Sequence, residues 1–233
     1  MVTTDHPRRE IRSFVKREGR LTPGQQRALD ELFPRFGVTI DADTPRPLNL
    51  PELFGRDAPV TLEIGFGNGE AMATMAAAAP DLNFIGIEVH RPGVGHLLLK
   101  VEEAGLSNVR ALNHDAVEVV RDCIAAESLA RILVWFADPW PKKKHHKRRI
   151  IQPAFVELLR TRLQPGGILH LATDWQNYAE HQLDVMDAAP GWENLAGPGN
   201  FSPKPDYRPE TKFERRGLKL GHGVWDLLHR RID

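Results

Sequence analysis

The stretch Glu63-Ile64-Gly65-Phe66-Gly67-Asn68-Gly69-Glu70 constrains this chain more than any other part of it. It closes an apolar run, Val60 to Ile64, and opens a run of helix formers, Glu70 to Ala79. Strand, tight turn and helix are therefore expected in that order. Glycines at 65, 67 and 69 permit the turn, let a ligand approach the backbone, and aim a helix N-terminus at it. The cycle then repeats. Asn83 to Glu88 reads as a strand, with a helix from about Pro92 to Ala104; Val109 to Asn113 is followed by a helix near Val117 to Ala126. A fourth strand, Arg131 to Phe136, precedes a helix at Pro153 to Leu163, and a fifth, Gly167 to Thr173, runs into a helix from about Trp175 to Ala188. Alternation with short links predicts an α/β fold, a parallel sheet covered by helices on both faces. Two late apolar segments, Trp192 to Ala196 and Val224 to Leu228, flank a loop rich in Gly and Pro and are expected to pair as an antiparallel hairpin at the sheet edge, making seven strands.

The chain of 233 residues is long enough to bury a core, and 41% hydrophobic against 27% charged residues sets aside wholesale disorder, collagen-like repeats and coiled coils. Residues 1–57, with turn signals at Thr22-Pro23-Gly24 and prolines at 45, 47 and 51, read as a basic arm carrying one short helix, Gln25 to Phe33. Residues 58–233 read as the catalytic domain. No apolar run approaches the roughly 18 residues of a membrane span, and the polar start is unlike a secretory signal, so a cytoplasmic protein is expected. The single cysteine, Cys123, forms neither an internal disulfide nor a thiolate zinc cage.

In an open sheet of this kind ligands bind beyond the carboxyl ends of the strands, where strand order reverses. Four acids stand there: Glu63 in the first strand, Glu88 at the end of the second, Asp115 after the third and Asp138 after the fourth. Any one of them reads equally well as a solvated loop acid or a helix cap. Together they describe an acidic rim suited to a ligand with a ribose, an exocyclic amine and fixed positive charge. Glu88 follows Glu63 at close to the offset of about 20 residues at which an acid meets ribose hydroxyls. The dinucleotide fingerprint G-x-G-x-x-G fails here, because Glu70 stands where its last glycine belongs, and a carboxylate repels a pyrophosphate. S-adenosylmethionine, with a sulfonium, an ammonium and an adenosine, suits the rim better than ATP or NAD.

Charge is balanced overall, 31 basic against 31 acidic residues, but not locally. Residues 142–149 read Lys-Lys-Lys-His-His-Lys-Arg-Arg, six fixed cations with no acid among them. Extended, eight residues reach at most about 26 to 29 Å, enough to follow several phosphates. Solvated cationic loops are common, yet this run is fused to the strand end that should carry the chemistry. Between them, Asp138-Pro139-Trp140 offers a stiff turn and a flat face on which a base can stack; a core aromatic is the plainer reading of Trp140. The adjacent His145 and His146 lack cysteine partners, so no metal site is expected.

With these stretches in hand, the chain resembles the bacterial tRNA (guanine-N7-)-methyltransferases, a Rossmann-like class I family dependent on S-adenosylmethionine. The matching strings are E-I-G-F-G-N-G-E (63–70), D-P-W-P-K-K-K-H-H-K-R-R (138–149), A-T-D-W-Q-N-Y-A-E-H (172–181), R-P-E-T-K-F-E-R-R-G (208–217) and R-S-F-V-K-R-E-G-R-L (12–21). Departures, such as Ala137 before Asp138 and the long proline-containing arm, touch no proposed contact. The resemblance implies methyl-donor contacts from Glu63, Glu88, Asp115 and Asp138 beside the glycines at 65, 67 and 69. It implies substrate contacts from Lys142, Asp174, Thr211, Lys212, Phe213 and Glu214, and RNA contacts from Lys144, His145, His146, Lys147, Arg148 and Arg149. The implied target is the variable-loop guanine of tRNA (position 46).

Guanine N7 has an in-plane lone pair and no proton, so methylation there requires no general base. Catalysis then rests on near-attack positioning, an effect that reaches about 7–11 kcal/mol in favourable cases. Asp138 is the expected catalytic residue, placed to orient the base or stabilise the charge it gains. Guanine's Watson–Crick edge presents two donors, so Asp174 or Glu214 can accept from it and reject adenine; capping the following helix is the plainer role for Asp174. Two alternatives stay open: an RNA methyltransferase of the same fold acting on another atom, and a non-catalytic RNA-binding module.

Overall fold

Seven strands form one sheet in the order β3-β2-β1-β4-β5-β7-β6. The structure, a computed structural model, describes residues 12–15, 19–41, 43–210, 214 and 223–233. Pro23–Arg27 (α1), a π-helical turn at Ala28–Leu32 and Phe33–Phe36 (α2) make one run; Leu50–Phe54 (α3) precedes the sheet. The alternating body comprises Val60–Ile64 (β1), Glu70–Ala78 (α4), Asn83–Ile87 (β2), Arg91–Glu103 (α5), Val109–Leu112 (β3), Ala116–Asp122 (α6) and Leu129–Trp135 (β4). A 3-10 helix, Lys143–Arg148, leads to Pro153–Arg162 (α7), Leu163–Thr173 (β5), Gln176–Ala188 (α8), Trp192–Asn194 (β6) and Trp225–Arg231 (β7). The sheet is mostly parallel with an antiparallel edge, as the resemblance implies.

Every residue of β1 and β2 is buried, as expected of parallel strands covered on both faces. One face packs Leu62, Ile85, Val119, Val156, Leu171 and Tyr178; the other packs Phe66, Met72, Leu97, Leu98, Leu133 and Trp135. β1 pairs in parallel with both β2 and β4, so strand order reverses between β1 and β4. The carboxyl ends of those two strands open the crevice that holds the site. The hairpin expected at the edge is present: β6 pairs with β7 antiparallel, and β7 with β5.

Several elements differ from the sequence reading: α3 is a further helix in the arm, α6 stops at Asp122 rather than near Ala126, and two more differ for a visible reason. β5 begins at Leu163 rather than Gly167, because Leu163 pairs with Leu129 before a register shift carries Gln164-Pro165-Gly166 outward. The helical run of the arm extends from Pro23 to Phe36, started by a capping box in which Thr22 accepts from the Gln25 N–H and the Gln25 side chain answers. Its Ala28 and Phe36 are buried in the core, and the Val38 N–H donates to the Ala111 carbonyl at 2.9 Å, so this part of the expected appendage is packed into the body.

Candidate active site

Beyond β1 and β4 lies a cavity of about 1630 Å³. Its floor is the glycine turn. Gly65, Gly67 and Gly69 adopt φ of +74°, +61° and +74°, left-handed values that a side chain would strain. A Cβ on Gly69 would lie 2.6 Å from Leu97, so that glycine also lets α4 close on α5. Gly93 in the first turn of α5, unnoticed in the sequence, is tighter still: a Cβ there would lie 2.1 Å from the Gly67 carbonyl oxygen.

Two carboxylates stand at this floor, and their environments differ. Glu63 is 4% exposed and lines the cavity. Among the described residues no group hydrogen-bonds its Oε2. Burial first, and the negative field of Glu88 second, push its carboxyl up to about 8. Glu88 also lines the cavity, but its oxygens are used: Oε2 accepts from the Gly67 N–H and Oε1 from the His90 N–H, each at 2.9 Å. Burial raises its carboxyl as well, while the backbone N–H groups of His90, Gly67 and Val89 pull it back. Glu88 thus shapes the turn, and Glu63 is an acceptor awaiting a donor. That pair fits the ammonium and ribose of S-adenosylmethionine.

Asp115 is placed differently. It is the N-cap of α6, its Oδ1 accepting from the Val117 N–H at 3.0 Å, and its neighbours His114 and Ala116, rather than Asp115 itself, line the cavity.

Asp138 lies at the opposite lip, beyond β4, exposed and lining the cavity. The backbone around it is strained: Phe136 has φ +53° and Trp140 φ +46°, a region non-glycine residues avoid. Several contacts hold these turns. Phe136 N–H donates to the Ala172 carbonyl at 2.8 Å, and Trp140 Nε1 donates to the Ser13 carbonyl at 3.0 Å, drawing Ser13, Phe14 and Val15 into the cavity wall. Trp140 is not an open platform. Arg148 lies over its ring at 4.6 Å, and His145 meets it edge-on at 5.9 Å.

The basic run divides. Lys142, Lys143, Lys144 and Lys147 are exposed on and before the 3-10 helix. His145, half-buried, is held below the usual imidazole range by burial and then by the surrounding lysines and Arg148. His146 Nε2 lies 3.2 Å from Arg149. Arg149, expected on the RNA track, is 2% exposed: Nε donates to the Pro139 carbonyl at 3.0 Å, Nη2 to Asn177 Oδ1 at 2.7 Å, and the guanidinium lies over Tyr178 at 5.0 Å. It braces the loop that carries Asp138.

Asp174 follows β5, whose Ala172 pairs with Trp135 of β4, so it sits one strand over from Asp138. It does not cap α8; Trp175 occupies the N-cap, without a side-chain cap. Glu214 is buried, its carboxylate held by both Nη atoms of Arg208 at 2.7 and 3.1 Å and by Lys204 Nζ at 3.3 Å. Thr211, Lys212 and Phe213 lie outside the described residues; Pro209 and Glu210, just before them, line the cavity. Among the described residues no group of three or more His, Cys, Asp or Glu is arranged to hold a metal ion, and no helix is long and apolar enough to cross a membrane.

A family model described as "Putative methyltransferase" matches residues 57–227. A tRNA (guanine-N(7)-)-methyltransferase of Alcanivorax borkumensis is 65% identical over 94% of this chain and 91% of its own length. The chain belongs to the tRNA (guanine-N7-)-methyltransferase family. Other members are similar at nearly full length: that of Aeromonas hydrophila is 58% identical over 97% of this chain and 94% of its own. That of Pseudomonas aeruginosa PAO1 is 57% identical over 97% and 92%. Among solved structures, the 16S rRNA methyltransferase KamB aligns with a TM-score of 0.59 at 14% identity, over 84% of this chain and 96% of that one. The aminoglycoside resistance methyltransferase NpmB1 aligns at 0.56 and 17%. Those two likenesses extend the family's fold to distant enzymes.

Proposed function

We propose that the protein transfers the methyl group of S-adenosylmethionine to N7 of the variable-loop guanine of tRNA. One observation carries this reading: Glu63, whose buried Oε2 has no partner among the described residues, lines the same cavity as Asp138, and the exposed lysines follow Asp138 in the chain. S-adenosylmethionine supplies a methyl group on a sulfonium. Glu63 receives its ammonium, Glu88 its ribose, and Asp115, on the rim, the adenine amine with a carboxylate that also caps α6. The left-handed glycines at 65 and 67 leave the floor open to a ligand, while Gly69 packs the turn against Leu97.

On the RNA side Lys142, Lys144, His145, Lys147 and Arg148 meet the backbone of tRNA, while His146 and the buried Arg149 shape the loop that presents them. Asp174 accepts from the guanine edge, with Lys142, Thr211, Lys212 and Phe213 as further substrate contacts; Glu214 acts through Arg208 rather than on the base. Asp138 orients the purine and stabilises the charge it gains, and no proton is moved. In this reading residues 58–233 are the catalytic domain, and residues 1–57 are an arm whose Ser13, Phe14, Val15 and Gln25 line the cavity.

The test is incubation of the purified protein with unmodified tRNA and labelled methyl donor, followed by nucleoside mapping. Label in 7-methylguanosine of the variable loop is the expected result; label in another nucleoside selects a different target atom, and no label with intact RNA binding selects the non-catalytic module.

A further inference from the structure

β5 carries a histidine in the middle of an apolar strand, Ile168-Leu169-His170-Leu171-Ala172. A fully buried imidazole needs partners for both nitrogens. His170 Nε2 lies 2.7 Å from Asp226 Oδ1 on β7, and Nδ1 lies 2.9 Å from the Tyr207 hydroxyl. Burial keeps the ring below the usual imidazole range, so the consistent assignment is a neutral ring that donates from Nε2 to Asp226 and accepts from Tyr207. Asp226 also receives Arg208, from Nη2 to Oδ2 at 3.0 Å, with Nε 2.8 Å from Oδ1 though its N–H is not aimed there. The other side of the Arg208 guanidinium grips both oxygens of Glu214. A guanidinium only 1% exposed therefore joins two buried carboxylates, and its planar fork suits both.

The position of this knot gives it a role. Arg208 and Tyr207 immediately precede Pro209 and Glu210, which line the cavity. The guanidinium lies 5.8 Å from the Phe136 ring, two residues before Asp138, and His170 meets Trp135 edge-on at 5.1 Å. The Tyr207 ring is covered by Arg131 of β4 at 4.2 Å. One buried polar cluster thus touches the end of β4, the antiparallel strand β7 and the residues Pro209 and Glu210 at the cavity. Buried ion pairs are weak sources of stability, and their best-attested use is to fix one arrangement among several.

Resting on the methyltransferase reading above, we infer that Arg208 is a positioning residue that sets Pro209 and Glu210 of the cavity wall against the Asp138 loop, with Asp226, His170 and Tyr207 as its anchor. It touches neither methyl donor nor base. The chemistry is therefore sensitive to the shape of the fork as well as to its charge.

The test compares wild type with Arg208→Lys, which keeps the cation and loses the fork, and with Tyr207→Phe, which loses only the hydroxyl on His170. Turnover on tRNA at saturation, S-adenosylmethionine Kd by calorimetry and the unfolding midpoint are measured for each. The expected result is a fall in kcat of about 10- to 100-fold for Arg208→Lys and about 3- to 10-fold for Tyr207→Phe, with the methyl-donor Kd within threefold of wild type. Lowered unfolding midpoints with kcat within twofold of wild type in both variants would overturn the inference, as would a loss of methyl-donor affinity parallel to the loss of kcat. If Arg208→Lys does not fold, Tyr207→Phe decides alone. Wild-type protein that forms no 7-methylguanosine overturns the functional reading, and this inference with it; an active wild type beside unaffected variants overturns the inference alone.

Discussion

The floor of the cavity and the basic loop beyond it are built on opposite principles. At the floor, charge is scarce, buried and individually addressed: Glu88 gives its oxygens to the Gly67 and His90 N–H groups, and Glu63 keeps one in reserve. On the loop, charge is plentiful and, apart from Arg149, largely solvated. Buried charges act through geometry, and each has a large effect; exposed charges act by number and yield to salt. On the function proposed above, one site therefore holds a small cation specifically and a large polyanion by accumulation.

Four experiments break or sharpen that contrast. The largest effect is expected where the two regions meet. Asp138→Ala should lower kcat on tRNA by about 10²- to 10³-fold, the range seen when one group facing developing charge is removed; single-turnover kinetics would expose near-normal chemistry and with it a wrong assignment. At the floor, Glu63→Gln should weaken S-adenosylmethionine binding by about 10- to 100-fold.

The same residue sets a pH dependence. With its carboxyl at about 8, Glu63 is protonated in the ligand-free protein at neutral pH and must lose that proton to meet a cation. Calorimetric Kd should accordingly tighten as pH rises from 6 to 8, by at most about tenfold per unit, and the Glu63→Gln variant should be flat. Stability runs the other way. The unfolded chain holds fewer protons between the ordinary carboxylate range and pH 8, so the ligand-free unfolding midpoint should fall with rising pH across that window.

Within the loop, Arg149→Ala should destabilise the protein by about 1–3 kcal/mol, since Asn177 and the Pro139 carbonyl lose a buried partner, yet leave the salt dependence of tRNA binding unchanged. Lys147→Ala should do the reverse: little change in unfolding midpoint, and a log–log salt slope shallower by about 0.7 to 0.9. Equal slopes for wild type and Lys147→Ala would take that lysine off the RNA.

Legibility in the sequence followed the same divide. Periodicity revealed the sheet, the helices and the edge hairpin, because burial on both faces of a parallel sheet writes apolar runs that alternate with helical ones. The strand-end rule picked out Glu63, Glu88 and Asp138, all three of which line the cavity. It could not separate Asp115, whose cap on α6 is a local bond any loop acid can make. Composition placed Arg149 with its neighbours, since nothing in a run of cations marks the one that folds inward onto Tyr178. His170 was readable in principle, as a polar residue stranded between Leu169 and Leu171. Its partners, on Tyr207 and Asp226, exist only once β7 has paired with β5.

The contact between Gly93 and the Gly67 carbonyl carries a practical consequence. Because α5 and the glycine turn meet backbone against backbone, neither can be re-engineered alone. A side chain as small as alanine at 93, in a helix that contributes no proposed ligand contact, would push on the turn from behind. Attempts to retune this protein for bulkier methyl-donor analogues by enlarging the turn would have to move the helix with it, so the two are best varied together in a library.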